Sequence, residues 1–235
     1  MKENQFNEIS LSLEDTLISS NITSITTELA ETSLDQLLDD GLLKNIPIIS
    51  ILVGLGKTAF NIHNRLFAKK IIYFLSQINN IPQKEREEVI KQIDISGKFR
   101  IKVGEKLLYI IDKSDDYKSA EIIAKLFAAF LKKEITYSEF LKASTIVNNI
   151  FIQDLVRFVE NTDDNYSSSI EDISELLNTG LFNLGMNEVD ISVSDQEDYK
   201  SREKYQTTVD GGTLRADISD IGKIIKKVLK GQLQN

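Results

Sequence analysis

The strongest constraint on what this chain can become is the run at residues 46–60, IPIISILVGLGKTAF, its most apolar window. Three structures can use such a run: a phosphate-binding strand, loop and helix, a lipid-seeking segment, or a buried helix. A Walker-type phosphate loop has the pattern G-x-x-x-x-G-K-[ST]. Its first glycine permits the tight path, its amides hold phosphate, its Lys reaches the outer phosphates and its hydroxyl binds Mg²⁺. Gly56, Lys57 and Thr58 fit the end of that pattern, with Gly54 nearby and residues 48–53 as the preceding strand. The first glycine, however, would be position 51, which is Ile51. Residues 107–111 followed by Asp112 imitate a Walker B strand, but the chain offers too few strand-like runs for a parallel sheet around both. Gly54, Gly56, Lys57 and Thr58 thus remain nucleotide candidates only in a divergent form.

As a membrane segment the run is too short. Twelve uncharged residues separate Lys44 from Lys57, where a spanning helix needs about 20. Attachment to a lipid surface is the weaker alternative, with Lys57, Arg65, Lys69 and Lys70 supplying attraction to an anionic surface beside the apolar block. The favoured expectation is a core helix started by Pro47, notched by its glycines, that leads into a basic helix.

Two prolines and eleven glycines in 235 residues favour long helices over a turn-rich β fold. The absence of cysteine removes disulfides, thiolate zinc sites and thiol nucleophiles. The first residues, MKENQFNEISLSLED, contain no apolar signal core, so the expected location is cytoplasmic, with peripheral membrane attachment as the alternative. Charge is segregated. Residues 1–41 carry nine acidic groups and one Lys, residues 42–133 seventeen basic and nine acidic groups, and residues 158–199 eleven acidic groups and no Lys or Arg. The expectation is that acidic ends lie near the basic middle and partly neutralise it.

Along the chain, residues 1–20 read as a flexible tail or an edge strand, since Ile9, Leu11 and Leu13 alternate. Helical spacing then runs through Ile22, Ile25, Leu29, Leu34, Leu37 and Leu38, with Gly41 placed as a C-cap. A strong apolar face (Leu66, Ile71, Phe74, Leu75, Ile78) predicts a helix over 61–78, and Pro82 opens another that Gly97 ends. Asp112, Asp115 and Asp116 form a turn before a helix over 117–133. Thr136 to Glu139 is a capping box opening a helix that extends to Glu160. A polar linker at 161–169 follows. A second box, Ser168 to Glu171, opens a short helix over 170–178. Alternating Val189, Ile191 and Val193 predict a strand, and Asp210-Gly211-Gly212 a hairpin turn between 205–209 and 213–218. Ser219 or Asp217 caps a final helix.

The chemistry-bearing constellations are few. Asp163, Asn165, Ser167 and Ser169 fall at the first ligand positions of an EF-hand-like loop. That loop lacks its glycine at Ser168 and its bidentate Glu at Ser174, so linker and capping duty is the better account and no metal is expected. His63, the one histidine, sits within a helical stretch without a paired acid. No G-x-S-x-G or H-E-x-x-H is present, so no catalytic residue and no cofactor is assigned. The last 65 residues suggest a winged-helix-like unit, but its candidate recognition helix carries Glu171, Asp172 and Glu175 and no base. Such a helix repels the DNA backbone, although Arg202, Lys204, Arg215 and Lys223, Lys226, Lys227 and Lys230 could form a basic wing.

The segments LLKNIPIIS, VGLGKTAFNIHNRLFAKKI and GEKLLYIIDKSDDYKSAEIIAKLFAAFLKKEITYSEFL resemble a pattern of uncharacterised bacterial helical proteins over residues 42–158, which brings no activity with it. LFAAFLKKEITYSEF is similar to tellurite-resistance-type helical domains, and DISDIGKIIKKVL to the close of winged-helix-like modules. The combined expectation is a mainly α protein: a flexible tail at 1–20, a multi-helix domain at 21–160, a linker at 161–169 and a small α+β winged-helix-like unit at 170–235. Its leading function is that of a non-enzymatic bacterial accessory or regulatory protein acting through protein–protein contacts or self-association. A membrane-surface effector using residues 46–70, a P-loop-like nucleotide binder and a DNA-binding regulator are the alternatives, with nucleic acid the least favoured partner.

Overall fold

The computed structural model describes residues 3–19, 22, 36, 43, 45–52, 62–99, 101–161, 167–169, 174–195 and 205–233. The described chain is mainly helical, with antiparallel strands near its C-terminus. The helices are α1 (Glu3–Ile18), α2 (Ile62–Ile78), α3 (Gln83–Ile95), α4 (Val103–Lys113), α5 (Tyr117–Leu131), α6 (Tyr137–Val147), α7 (Ile152–Asn161) and α8 (Asp220–Leu229). The strands are β1 (Ser167–Ser169), β2 (Phe182–Met186), β3 (Val189–Asp195), β4 (Tyr205–Gly211) and β5 (Leu214–Ile218).

The body is built around α5. Ile122, Ile123, Leu126, Phe127 and Phe130 are buried together with Ala120, Ala124, Ala128 and Ala129, so most of the helix surface is covered, and only the narrow face of Lys118, Glu121 and Lys125 is polar. It packs along α2 and against α6. Phe127 joins all three, with ring centroids 5.6 Å from Phe74 and 5.2 Å from Phe140. Asp116 caps α5 by accepting from the Ser119 amide at 2.8 Å. The capping box at the start of α6 forms as expected. The Glu139 amide donates to Thr136 Oγ1 and the Thr136 amide to Glu139 Oε2, and these bonds hold the Glu139 carboxyl below its ordinary range.

Four expectations are corrected. Residues 3–18 are a helix rather than a tail or strand: Ile9, Leu13 and Leu17 are at most 3% exposed, and Leu11 lies on the open side at 57%. α1 packs on α3 and α4, which lie in the basic middle of the sequence but are not themselves net basic. There, burial and Asp94 push the Glu14 carboxyl up, with Lys102 opposing. The long helix from Thr136 to Glu160 is two helices, broken at 148–151, where Asn148 is the C-cap of α6. The linker at 161–169 contributes β1, so Ser168 and Ser169 are strand residues rather than the start of a helix, and the helix expected at 170–178 is a 3₁₀ turn at 174–176 among its described residues. Finally, α8 does not belong to a separate C-terminal unit. It packs on α5, α6 and α7, and Ile225, Val228, Leu229 and Leu233 sit in the same buried cluster as the rest of the helical core.

The window at 46–52 behaves as a core element. Residues 47–52 are helical, the Ser50 amide donates to the Ile46 carbonyl at 2.9 Å, and Ile46, Ile48, Ile49 and Leu52 are buried. Thr16 ties this segment to α1, its hydroxyl donating to the Ser12 carbonyl at 2.8 Å and accepting from the Ile48 amide at 3.1 Å.

Candidate functional site

The strands form one long ribbon. β2 pairs with β5 from Phe182↔Ile218 to Met186↔Leu214, and β3 with β4 from Val189↔Gly211 to Asp195↔Tyr205, in a single continuous antiparallel register. The junction is bonded as well: the Asn187 amide donates to the Thr213 carbonyl at 2.9 Å, and the Gly212 amide to the Asn187 carbonyl at 3.3 Å. At roughly 3.4 Å per residue, the fourteen residues from Phe182 to Asp195, twelve of them paired across the ladder, give about 45 Å of strand.

Asp210-Gly211-Gly212 is therefore not a hairpin turn. β4 and β5 follow one another along the same side of the ribbon, and their partners are β3 and β2. The glycines make a kink, with φ of 88° at Gly211 and 69° at Gly212. A Cβ on Gly211 would lie 1.8 Å from the Glu188 carbonyl oxygen, so only glycine permits this crossing.

At its base the ribbon is anchored. β1 adds to β5, giving the sheet order β1-β5-β2, and Ala216 on the central strand is fully buried. Ser219 connects the sheet to α8: its amide donates to the Leu181 carbonyl at 2.9 Å, its hydroxyl donates to the Gly180 carbonyl, and it caps α8 by accepting from the Gly222 amide at 3.0 Å. Beyond the kink the ribbon stands clear. Every described residue from Val189 to Val193 and from Thr207 to Gly211 is exposed. The two faces differ in chemistry. Val189, Ile191 and Val193 share one face with Thr207 and Val209, while Asp190↔Asp210 and Ser192↔Thr208 occupy the other. Ile191 and Val209 are direct cross-strand partners, and they are 62% and 63% exposed. Toward the base, Leu184, Met186 and Leu214 are also more than half exposed. No described residue buries this apolar face.

The strand signal of Val189, Ile191 and Val193 was legible in sequence. Leu184, Met186, Val209 and Leu214 were not singled out, and their signal is alternation at positions directly opposite those of the partner strand.

The earlier candidates fare differently. Gly54, Gly56, Lys57, Thr58, Asp163 and Asn165 lie outside the described residues. The strand needed before a phosphate loop is helical at 47–52, and the Walker B imitation at 107–111 is part of α4. Ser167 lies in β1, so it is not a loop ligand between two helices, and among the described residues no three metal-ligating side chains gather. Arg65 and Lys69 are half-buried and neither is without a partner. Lys70 donates to the Ser114 carbonyl and, at 3.3 Å, to that of Asp112. It caps the C-terminus of α4, where a cation is favoured, and so the expected row of cations for an anionic surface has one member committed to the fold. Among the described residues no helix is long and apolar enough to cross a membrane. The Tyr137 phenol, 3% exposed and without a hydrogen-bond partner among the described residues, has its pKa pushed up by burial, which keeps it neutral and makes it part of the core.

No family model, curated protein or solved structure matches the chain.

Proposed function

We propose that this chain is a non-enzymatic bacterial accessory protein that acts in the cytoplasm through protein–protein contacts, and that its ribbon is the contacting element. One observation carries this reading: the apolar face of Val189, Ile191, Val193 and Val209 is exposed on a two-stranded ribbon anchored to a well-packed helical body. A ribbon of this kind is marginal alone and gains stability when a partner covers it.

Charge selects the partner class. The strands at 182–195 and 205–218 carry Glu188, Asp190, Asp195, Asp210 and Asp217 against Arg215 alone. Arg215 is itself paired with Asp217 at 3.0 Å. Lipid headgroups of anionic membranes and nucleic-acid phosphates are repelled by such a ribbon. A protein groove with an apolar floor and a basic rim is complementary to it. The sheet order and the hairpin support a winged-helix-like description of this region in which the wing, not a recognition helix, is the working part. The acidic 174–176 turn adds nothing that would hold DNA.

The test is affinity capture from the native host with the full chain, followed by titration with the purified partner. Ile191→Asp with Val209→Asp is expected to weaken the complex by about a hundredfold, as loss of a buried apolar pair at the centre of an interface does, while leaving helical circular dichroism unchanged. Equal binding by this variant, or saturable catalytic turnover by the purified protein, overturns the reading.

A further inference from the structure

Tyr73 of α2 and Tyr117, the first residue of α5, meet where these two helices pack. Their ring centroids lie 4.7 Å apart and their planes are inclined by 25°, a near-parallel stack. Tyr109 instead lies against Phe6, and Tyr137 is buried among phenylalanines. Among the described residues, Tyr73 and Tyr117 are therefore the one tyrosine–tyrosine ring contact. The stack lies at the surface: Tyr117 is 48% exposed and Tyr73 half-buried, so it is accessible from solution, whereas Tyr137 at 3% is not.

Composition bears on what such a pair does under oxidation. The chain has no cysteine and no tryptophan. Thiols and indoles are the side chains that otherwise take an electron hole from a tyrosyl radical, so a radical formed on Tyr117 has the Tyr73 phenol as its nearest partner. Burial, then Tyr117 and Glu121, push the Tyr73 phenol pKa up, with Lys69 opposing. That phenol is neutral at pH 7 and loses a proton together with its electron.

We propose that Tyr73 and Tyr117 form a covalent modification site, at which a peroxide-consuming haem oxidant joins the two rings as dityrosine. Each phenol gives up one electron and one proton, and the peroxide takes two of each to become two waters. The two radicals couple through ring carbons ortho to their oxygens. The hydrogens on those carbons then move as protons to the phenolic oxygens, so the chain loses two hydrogens in all. The stack supplies the proximity, because the two radicals meet without diffusion. The new bond ties α2 to the central α5 across 44 positions of sequence, with α3 and α4 inside the closed loop. A link of that span restricts the unfolded chain, which is the role of a disulfide in proteins that have cysteine.

The test oxidises the full chain, kept dilute, with hydrogen peroxide and a haem peroxidase, and examines the monomer after separation by size. The expected product is a monomer with dityrosine fluorescence, lighter by two hydrogens, that yields on digestion a cross-linked peptide pair containing Tyr73 and Tyr117. Tyr73→Phe and Tyr117→Phe keep a stacked ring and remove the coupling phenol, so each should lose the product. Tyr109→Phe removes another exposed phenol and should leave the product unchanged. Oxidation should raise the urea midpoint of the parent monomer relative to its untreated form, and should not raise that of Tyr117→Phe. Absence of dityrosine from the parent monomer, its persistence in either Tyr73→Phe or Tyr117→Phe, or an equal shift of the urea midpoint in parent and Tyr117→Phe overturns the proposal.

Discussion

Arg86 shows how much of this fold depends on one side chain. It is 2% exposed and donates from all three guanidinium nitrogens to main-chain carbonyls: Nε to Leu17 at 2.7 Å, Nη1 to Ile81 and Nη2 to Ser19. Two of these carbonyls belong to the end of α1, where the last turn has no intrahelical donors and a positive charge is favoured. Burial pushes the guanidinium pKa down from its ordinary value, but an arginine remains charged. Replacement by Met keeps the volume and strands the carbonyls. Arg86→Met is expected to lower unfolding stability by about 3 kcal/mol, with Arg86→Lys rescuing only part because one ammonium cannot reach three diverging acceptors; urea denaturation reads both. None of this was legible in sequence. Arg86 sits in the run Lys84-Glu-Arg-Glu-Glu88, which reads as a solvated helix face, and its partners Leu17 and Ser19 lie 69 and 67 residues away. Local residue roles were legible: Thr136 with Glu139 and Asp116 with Ser119 are caps because their partners are three residues off.

Among elements, the helices with long apolar faces, α2 and α5, were readable from spacing, because nothing within eleven or more residues competed with the 3.6 period. Spacing does not decide where one pattern serves two structures. Ile9 and Leu13 satisfy an alternating strand and an i, i+4 helix equally. Leu11 suggested the strand, and in the fold it is simply an exposed leucine. The apolar face also continues across 148–151, so periodicity could not mark the break between α6 and α7. Asp210-Gly211-Gly212 is the most instructive case. Glycines there announce positive φ, and both a tight turn and a kinked ribbon require it; the sequence cannot say whether the chain reverses. Gly211→Ala is therefore expected to open the ribbon rather than unfold the molecule. Amide exchange of β3 and β4 should accelerate on the order of tenfold or more while the main melting transition shifts little. Gly212→Ala, whose Cβ would meet only the Val189 Cγ2 at 3.2 Å, should do less.

At the scale of the molecule, the decisive difference from the sequence reading is where the chain divides. Composition changes after Glu160, and charge and strand patterning make the last third look like an independent unit. Packing assigns it otherwise. Gly222 approaches the start of β2 so closely that a Cβ would lie 2.5 Å from the Leu181 carbonyl oxygen, and this lets α8 fold back onto α5 and α6. The composition change after Glu160 thus falls within one buried core, which holds residues of both α7 and α8, with the exposed ribbon attached to it. The two arrangements predict different outcomes for a truncation before Ser219. If the last third were separate, the helical domain would keep its melting transition. With α8 in the core, the cut removes Ile225, Val228, Leu229 and Leu233, each 8% exposed or less. At about 1.5–3 kcal/mol per buried side chain, that loss is comparable to the whole stability of a typical domain. The truncated chain is expected to show no cooperative thermal transition by circular dichroism. Excision of the ribbon beyond the kink, residues 189–211 replaced by a two-residue turn, should leave the transition within a few degrees of the parent, because residues 189–193 and 207–211 are exposed.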